Sequence, residues 1–232
     1  MEENHNIKKN GRKYFIKENF FIKKYPLTIK SSLIKEEYEK GLKINNIINY
    51  PKPITFDKNS ITYELINIQS NIQKILENKI GSKQLKFFRK IGFMLGKLHQ
   101  KKIIHGDFNT WNVVMTKDEE IFFIDASFSK YTNENKVNLA FEPEKDLSLF
   151  LFFVKNIRPI KKLYKLFKKR EIEQITRSFL NAYSKNMPIP KNFKQTLTKE
   201  EQKYKKLYLK QIADKKNFLR FLLWKMIFLI KR

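Results

Sequence analysis

Cysteine is absent from the 232 residues, which excludes a disulfide scaffold, a Cys-ligated zinc site and thiol catalysis. Glycine occurs six times, at 11, 41, 81, 92, 96 and 106, and nowhere as G-x-G-x-x-G. A glycine-rich loop that closes over nucleotide phosphates is therefore abbreviated or missing, with Asn10-Gly11 as the turn on offer. Histidine is scarce too: His5 lies in a polar N-terminal stretch and His99 at the end of a predicted helix, so neither suggests a metal site. Met1–Lys24 has no apolar core segment, so no secretory leader is expected there. Arginine appears seven times against 42 lysines, leaving few guanidinium forks for base or phosphate recognition. What is plentiful is positive charge, +26 overall, together with Asn, Ile, Phe and Tyr. Such a field attracts polyanions, but the same usage is what an AT-rich genome imposes, and charge alone does not choose between the two. At 41% hydrophobic and 14% aromatic residues the chain can bury a real core, as one domain or as two small lobes sharing a cleft.

Residues 12–25 read as two short strands with Lys17–Asn19 as their turn. Residues 32–44 suit a helix, capped by Ser31 or Ser32 and carrying Glu36 and Glu37 in its first turns. Pro51 and Pro53 end the next loop, and 60–66 reads as a strand. Leu85, Phe88, Ile91, Leu95 and Leu98 form a 3.6-period stripe that predicts a helix over 84–101. Two apolar runs flank the polar turn Lys117–Glu120 and predict a hairpin, and beyond residue 145 the pattern is helical nearly to the end. Strands first and helices after indicate an α+β chain with a sheet-rich and a helical lobe.

The stretch that carries chemistry is His105-Gly106-Asp107-Phe108-Asn109-Thr110-Trp111-Asn112, with Asp125 18 positions beyond Asp107. Asp107 sits on the loop entering the hairpin, Asn112 where its first strand begins, and Asp125 where its second strand leaves. Three oxygen-bearing side chains thus converge at one end of a rigid support. A carboxylate with a carboxamide suits Mg²⁺, which wants oxygen ligands and completes its shell with phosphate and water. A second carboxylate can orient a hydroxyl and accept its proton. These are the parts that phosphoryl transfer from a Mg-nucleotide requires.

HGDFNTWN followed by Asp125 resembles the protein-kinase-like superfamily, whose catalytic loop reads H-R-D-x-x-x-x-N and whose metal motif reads D-F-G. The His-Gly-Asp form is most similar to the branch holding aminoglycoside and choline phosphotransferases, lipopolysaccharide core kinases and RIO-like atypical kinases. The resemblance implies a bilobal fold with a reduced N-lobe sheet and a mostly helical C-lobe. It divides the chain into an N-lobe (1–66), a C-lobe with the catalytic loop (67–198) and a basic amphipathic C-terminal helix (199–232). It implies ATP and Mg²⁺ as cofactors, with Asp107 as catalytic base and Asn112 and Asp125 as metal ligands. Lys23, with Lys24 as the alternative, would bind the nucleotide's phosphates, held by Glu37 or, failing that, Glu36. Tyr63 would guard the back of the adenine pocket, and Glu64 and Ile66 would offer backbone groups to the adenine edge. Asp146 resembles the Asp that opens a C-lobe helix and braces the catalytic loop, or is simply an acid at a helix N-terminus.

The departures are informative. The metal motif reads Asp125-Ala126-Ser127, Gly106 replaces the Arg that pairs with a phosphorylated activation loop, and Asn109 stands where many Ser/Thr kinases place a Lys. Ser127–Glu144 is also short for a peptide-docking platform. These features favour an ATP-dependent phosphotransferase acting on a hydroxyl of a sugar, glycan or small-molecule acceptor. The first alternative is an atypical protein kinase or ATPase resembling RIO-like kinases or the small kinase of the tRNA threonylcarbamoylation complex. The second is a degenerate kinase fold serving as a membrane scaffold. The basic, aromatic stretches 161–170 and 217–232 suggest contact with an anionic membrane surface or packing on the C-lobe. No motif supports specific nucleic-acid binding, which is set aside, and a cytoplasmic location is expected, peripheral at the inner face if the membrane contact is real.

Overall fold

The computed structural model describes residues 7–9, 12–77, 81–126, 129–131, 136–138, 141–155 and 169–213. An antiparallel sheet of five strands comes first, in the order β1-β2-β3-β5-β4: β1 (Ile7–Lys9), β2 (Arg12–Lys17), β3 (Phe20–Lys24), β4 (Pro53–Phe56) and β5 (Ser60–Glu64). Lys17 pairs with Phe20 across a two-residue turn in which Glu18 takes φ 53°, a left-handed conformation that a hairpin turn needs. Alternation along β3 then points Lys23 inward and leaves Lys24 exposed above the Phe15 ring, 5.3 Å from its centroid.

Helix α1 (Ser31–Asn45) lies between β3 and β4 and buries Ile34, Glu37, Gly41 and Ile44, one face at helical spacing. It starts at Ser31, with Lys30 at the cap and no side-chain capping bond, so neither Ser31 nor Ser32 plays the capping part expected of it. Strand β5 stops at Glu64, two residues short of the expected end. Strand β4 was not legible in the sequence; Pro53 opens it at the sheet's edge, where a missing N–H costs nothing.

The remainder is mostly helical: α2 (Ile72–Glu77), α3 (Ser82–Gln100), α4 (Pro143–Lys155), α5 (Lys169–Tyr183) and α6 (Phe193–Ala213). A small sheet, β6 (Ile68–Asn71), β7 (Val113–Thr116) and β8 (Ile121–Phe123), contains the expected hairpin, and β9 (Ser129–Tyr131) pairs with β10 (Lys136–Asn138). The result is an α+β kinase-like architecture. Phe88, Ile91, Leu95 and Leu98 of the α3 stripe are fully buried. Gly92 and Gly96 let α3 approach α5 backbone to backbone, because a Cβ at Gly92 would overlap the Phe179 carbonyl oxygen.

Helix α3 ends where the site begins. Lys102 turns left-handed (φ 57°), and the amides of Lys102 and Ile103 return to the carbonyls of His99 (2.9 Å) and Leu98 (3.1 Å), a Schellman closure. The chain then enters the loop 105–112. Between the two halves, the turn after α1 docks on the hairpin: the Phe123 amide donates to the Asn49 carbonyl at 3.0 Å. No described helix is long and apolar enough to cross a membrane. The stretch 217–232, residues 161–168 and the Asn10-Gly11 turn lie outside the described residues.

Candidate active site

Phe108 anchors the loop 105–112. Fully buried, it stands with its ring centroid 5.3 Å from His105, 4.7 Å from Phe123 and 5.0 Å from Phe150. With that ring fixed in the core, the neighbouring Asp107 and Asn109 are held at the rim. Thr110 turns inward and donates to Oε1 of Gln73 in α2 at 2.8 Å. Nothing in the sequence signals that pair.

Beneath the loop lies a polar network of which only Asp146 was legible in the sequence. The Asp146 carboxylate, at the start of α4, accepts the amides of His105 (2.6 Å) and Gly106 (2.8 Å) and the Nε2–H of His99 (3.1 Å). Nδ1 of His99 in turn faces the Tyr183 hydroxyl at 2.8 Å. Gly106 has φ 83°, a conformation that suits glycine and aims its N–H at Asp146. Burial alone would raise the Asp146 carboxyl, but the His99 bond and charge and the loop amides outweigh it and hold it below the ordinary 3.8. His99, set aside above, is thus a buried link between α3, α4 and α5. His105 donates Nε2–H to the Ile124 carbonyl at 3.1 Å, and burial pushes its imidazole down against the pull of Asp146, Asp107 and Asp125. Its Nε2–H bond to the Ile124 carbonyl orients the ring.

At the rim, each Asp107 oxygen faces a carboxamide. Nδ2 of Asn109 donates to Oδ1 at 3.0 Å, and Nδ2 of Asn112 donates to Oδ2 at 3.0 Å and to the Asp107 carbonyl at 2.8 Å. Burial raises the Asp107 carboxyl, and the two amides and nearby His105 oppose that rise. With its nitrogen spent on Asp107, the group Asn112 retains for a metal is its oxygen. Asp125 leaves β8 in a left-handed conformation (φ 54°), which Asp tolerates better than most residues. Its Oδ1 lies 2.6 Å from Nζ of Lys23, and its side chain is 34% exposed.

Lys23 joins the two halves. Its Nζ lies 2.8 Å from Glu37 Oε1 as well, and both partners of that pair are buried. Glu36, one position away, is on the exposed face of α1. Buried Tyr63 places its hydroxyl 3.5 Å from Glu37 Oε1 and its ring 6.4 Å from Phe21. Beyond it, the Glu64 amide is committed to the Lys52 carbonyl (2.9 Å) and the Ile66 carbonyl to the Ile68 amide (2.9 Å). Glu64 therefore has its carbonyl to offer, and Ile66 its amide. Tyr50 was missed: buried beside this cluster, its hydroxyl accepts the Ala126 amide at 3.4 Å, and burial raises its phenol. Among the described residues no cluster of three or more His, Cys, Asp or Glu forms a metal site. A divalent cation would depend on the Asp125 carboxylate, the Asn112 oxygen and ligands brought by phosphate. That donor set fits Mg²⁺, which seldom takes an all-protein cage.

Comparison with known proteins adds an independent line. A family model described as RIO domain matches residues 3–166. A probable bifunctional tRNA threonylcarbamoyladenosine biosynthesis protein of Methanosphaera stadtmanae is 36% identical over 103 residues, 40% of this chain and 17% of that protein. A protein of the same description from Methanococcus vannielii is 34% identical over 80 residues, 34% of this chain and 13% of that protein. The KEOPS complex subunit Bud32 of Pyrococcus abyssi is 27% identical over 85 residues, 36% of this chain and 38% of that subunit. The chain thus spans well under two thirds of each of these relatives. Kinase-like proteins of this type use ATP with Mg²⁺, and the residues above meet both needs.

The matches correct the partner reading. A small-molecule or glycan acceptor at an anionic membrane, with nucleic acid set aside, was expected; the matched proteins are named for tRNA modification and for a protein complex. The reason is that the residues of the loop 105–112 carry no sign of an acceptor or partner, and no other segment carries a motif that names one.

Proposed function

The chain belongs to the RIO-domain family, and on that premise we propose that it is an atypical, Mg²⁺- and ATP-dependent kinase or ATPase working with tRNA-threonylcarbamoylation machinery. The observation that carries the enzymatic half is the single cluster in which Lys23 bridges Glu37 and Asp125 while Asp107 is clamped beside Asn112. The tRNA half is supported by the names of the relatives. Residues 1–66 and 67–198 serve as the two lobes, with 199–232 following.

Bound Mg-ATP supplies the transferable phosphoryl group and the cation's charge. Lys23 would hold the nucleotide's phosphates, with Glu37 keeping its ammonium pointed into the cleft. Asp125 and the Asn112 oxygen would hold the metal. Tyr63 backs the adenine site, with the Glu64 carbonyl and Ile66 amide at its edge. Asp107 orients the attacking hydroxyl, from an acceptor or from water, and takes its proton. Most of the rate gain comes from positioning and fixed charge.

Calorimetric titration with Mg-ATP tests this directly. Lys23→Met should weaken binding by at least about tenfold, equivalent to ~1.4 kcal/mol, while Lys24→Met leaves it within about twofold because that side chain is outside the cleft. Equal effects from the two, or no Mg-ATP binding by the unaltered chain, would overturn the reading. Turnover of labelled ATP should then rise when tRNA-threonylcarbamoylation proteins are added.

A further inference from the structure

We propose that Asn109 is a positioning residue for Asp107, its carboxamide nitrogen holding the carboxylate while its oxygen shapes the loop beneath. This rests on the reading of Asp107 as the group that handles the attacking hydroxyl. The two ends of the Asn109 side chain do different things. Oδ1 accepts the amides of Trp111 (2.9 Å) and Asn112 (3.2 Å), which closes an Asx-type turn over residues 109–112. Nδ2 donates to Asp107 Oδ1 at 3.0 Å, with a longer approach of 3.3 Å to the Asp107 carbonyl.

A Lys at this position has three donors and no acceptor, and so cannot close that turn. An Asp can accept the backbone amides but has no donor for Asp107, and a Ser must serve both partners through one oxygen. Asn alone combines a short side chain with an acceptor and a donor on one planar group. The carboxylate is therefore gripped from both sides, by Asn109 on Oδ1 and by Asn112 on Oδ2, before any substrate arrives. Its rotamer is fixed in advance, so no ordering is left for the reactive complex to accomplish. The loop also brings no cation of its own to the transferred phosphoryl group, whose charge is left to Lys23 and the metal.

Asn109→Asp separates the two ends. It is nearly isosteric and keeps an oxygen for the Trp111 and Asn112 amides, so the turn persists; it removes the donor and sets a second carboxylate against Asp107. Asn109→Ala removes both ends. In steady-state ATP turnover both variants should lose kcat by roughly 10- to 100-fold, the scale of a misplaced reacting group, with KM for ATP within about twofold of the unaltered chain. Thermal unfolding should show Asn109→Asp lowered by a few degrees, the cost of setting two carboxylates together, and Asn109→Ala lowered as well through loss of the turn. A wild-type kcat in Asn109→Asp would reduce the residue to a turn former, and a raised KM with kcat intact would make it a nucleotide contact; either overturns the proposal. A readout independent of turnover is the ¹⁵N-edited side-chain amide signal of Asn109. It should lie away from the free-amide position and move when Asp107→Asn is introduced; a free-amide shift overturns the proposal too. Asp107→Asn measured in the same assay separates the two failures. Turnover retained there sinks the reading of Asp107 and this proposal with it, whereas turnover lost there but kept in Asn109→Asp sinks this proposal alone.

Discussion

Asp107→Asn should cut turnover by roughly 10²- to 10⁴-fold, the usual worth of a positioned general base, while Mg-ATP binding stays near wild type. The substitution does more than remove a charge. Both carboxylate oxygens accept from amide nitrogens, at 3.0 Å from Asn109 and 3.0 Å from Asn112. The new carboxamide has one oxygen, so on one side an N–H must face an N–H. That clash costs a lost hydrogen bond, about 1–2 kcal/mol, which lowers the melting temperature by only a few degrees in a chain of this size. Single-turnover kinetics with calorimetric titration would check both halves. Turnover at the wild-type level would end the catalytic assignment, and nucleotide binding lost along with turnover would move Asp107 to the nucleotide side of the site.

Asp146→Ala should have the largest effect on the fold itself. Its carboxylate accepts three buried donors, from His99, His105 and Gly106, and truncation leaves all three without that partner. At about 1–3 kcal/mol for each buried group left unsatisfied, with partial relaxation, the loss should be about 3–5 kcal/mol, read as a fall of ~10 °C in melting temperature. The acid side carries a second signature. Because the folded carboxyl lies below the ordinary 3.8, its contribution is present above that value and is lost as pH falls through the lower folded value. The unaltered chain should therefore lose stability steeply below pH 3.8, and the Asp146→Ala curve should be flatter there. A variant that melts within a degree or two of wild type, with the same acid limb, would mean that water replaces the carboxylate at little cost.

The parts of this site that the sequence revealed are those held by short-range periodicity. Asp107, Asn112 and Asp125 sit on one loop and one hairpin, so their spacing nearly fixes their meeting. Lys23 against Lys24 is decided by strand alternation, and Glu37 against Glu36 by which face of α1 is buried. What the sequence hid depends on long-range contacts. Nothing near His99 announces a carboxylate 47 residues later, and nothing near Thr110 announces Gln73. Strand β4 was hidden by Pro51 and Pro53, which read as loop until the sheet's edge places one of them where no N–H is needed. The acceptor was misread for a different reason: the departures at Gly106, Asn109 and Ala126-Ser127 set the chain apart from ordinary protein kinases but name no acceptor.

The docking of the turn after α1 on β8 has a consequence for how the molecule opens. Two adjacent amides there report on different events. The Ile124 amide bonds to the Asn112 carbonyl at 2.9 Å, within the hairpin, whereas the Phe123 amide crosses to Asn49 at 3.0 Å, on the side that carries Lys23 and Glu37. Deuterium reaches Ile124 only if the hairpin comes apart, but it reaches Phe123 whenever the two halves swing away from each other. The Phe123 protection factor thus measures the free energy of that swing, and its ratio to the Ile124 factor how much easier the swing is than opening the hairpin; equal factors would mean that the cleft stays latched at Asn49 and admits nucleotide without a hinge.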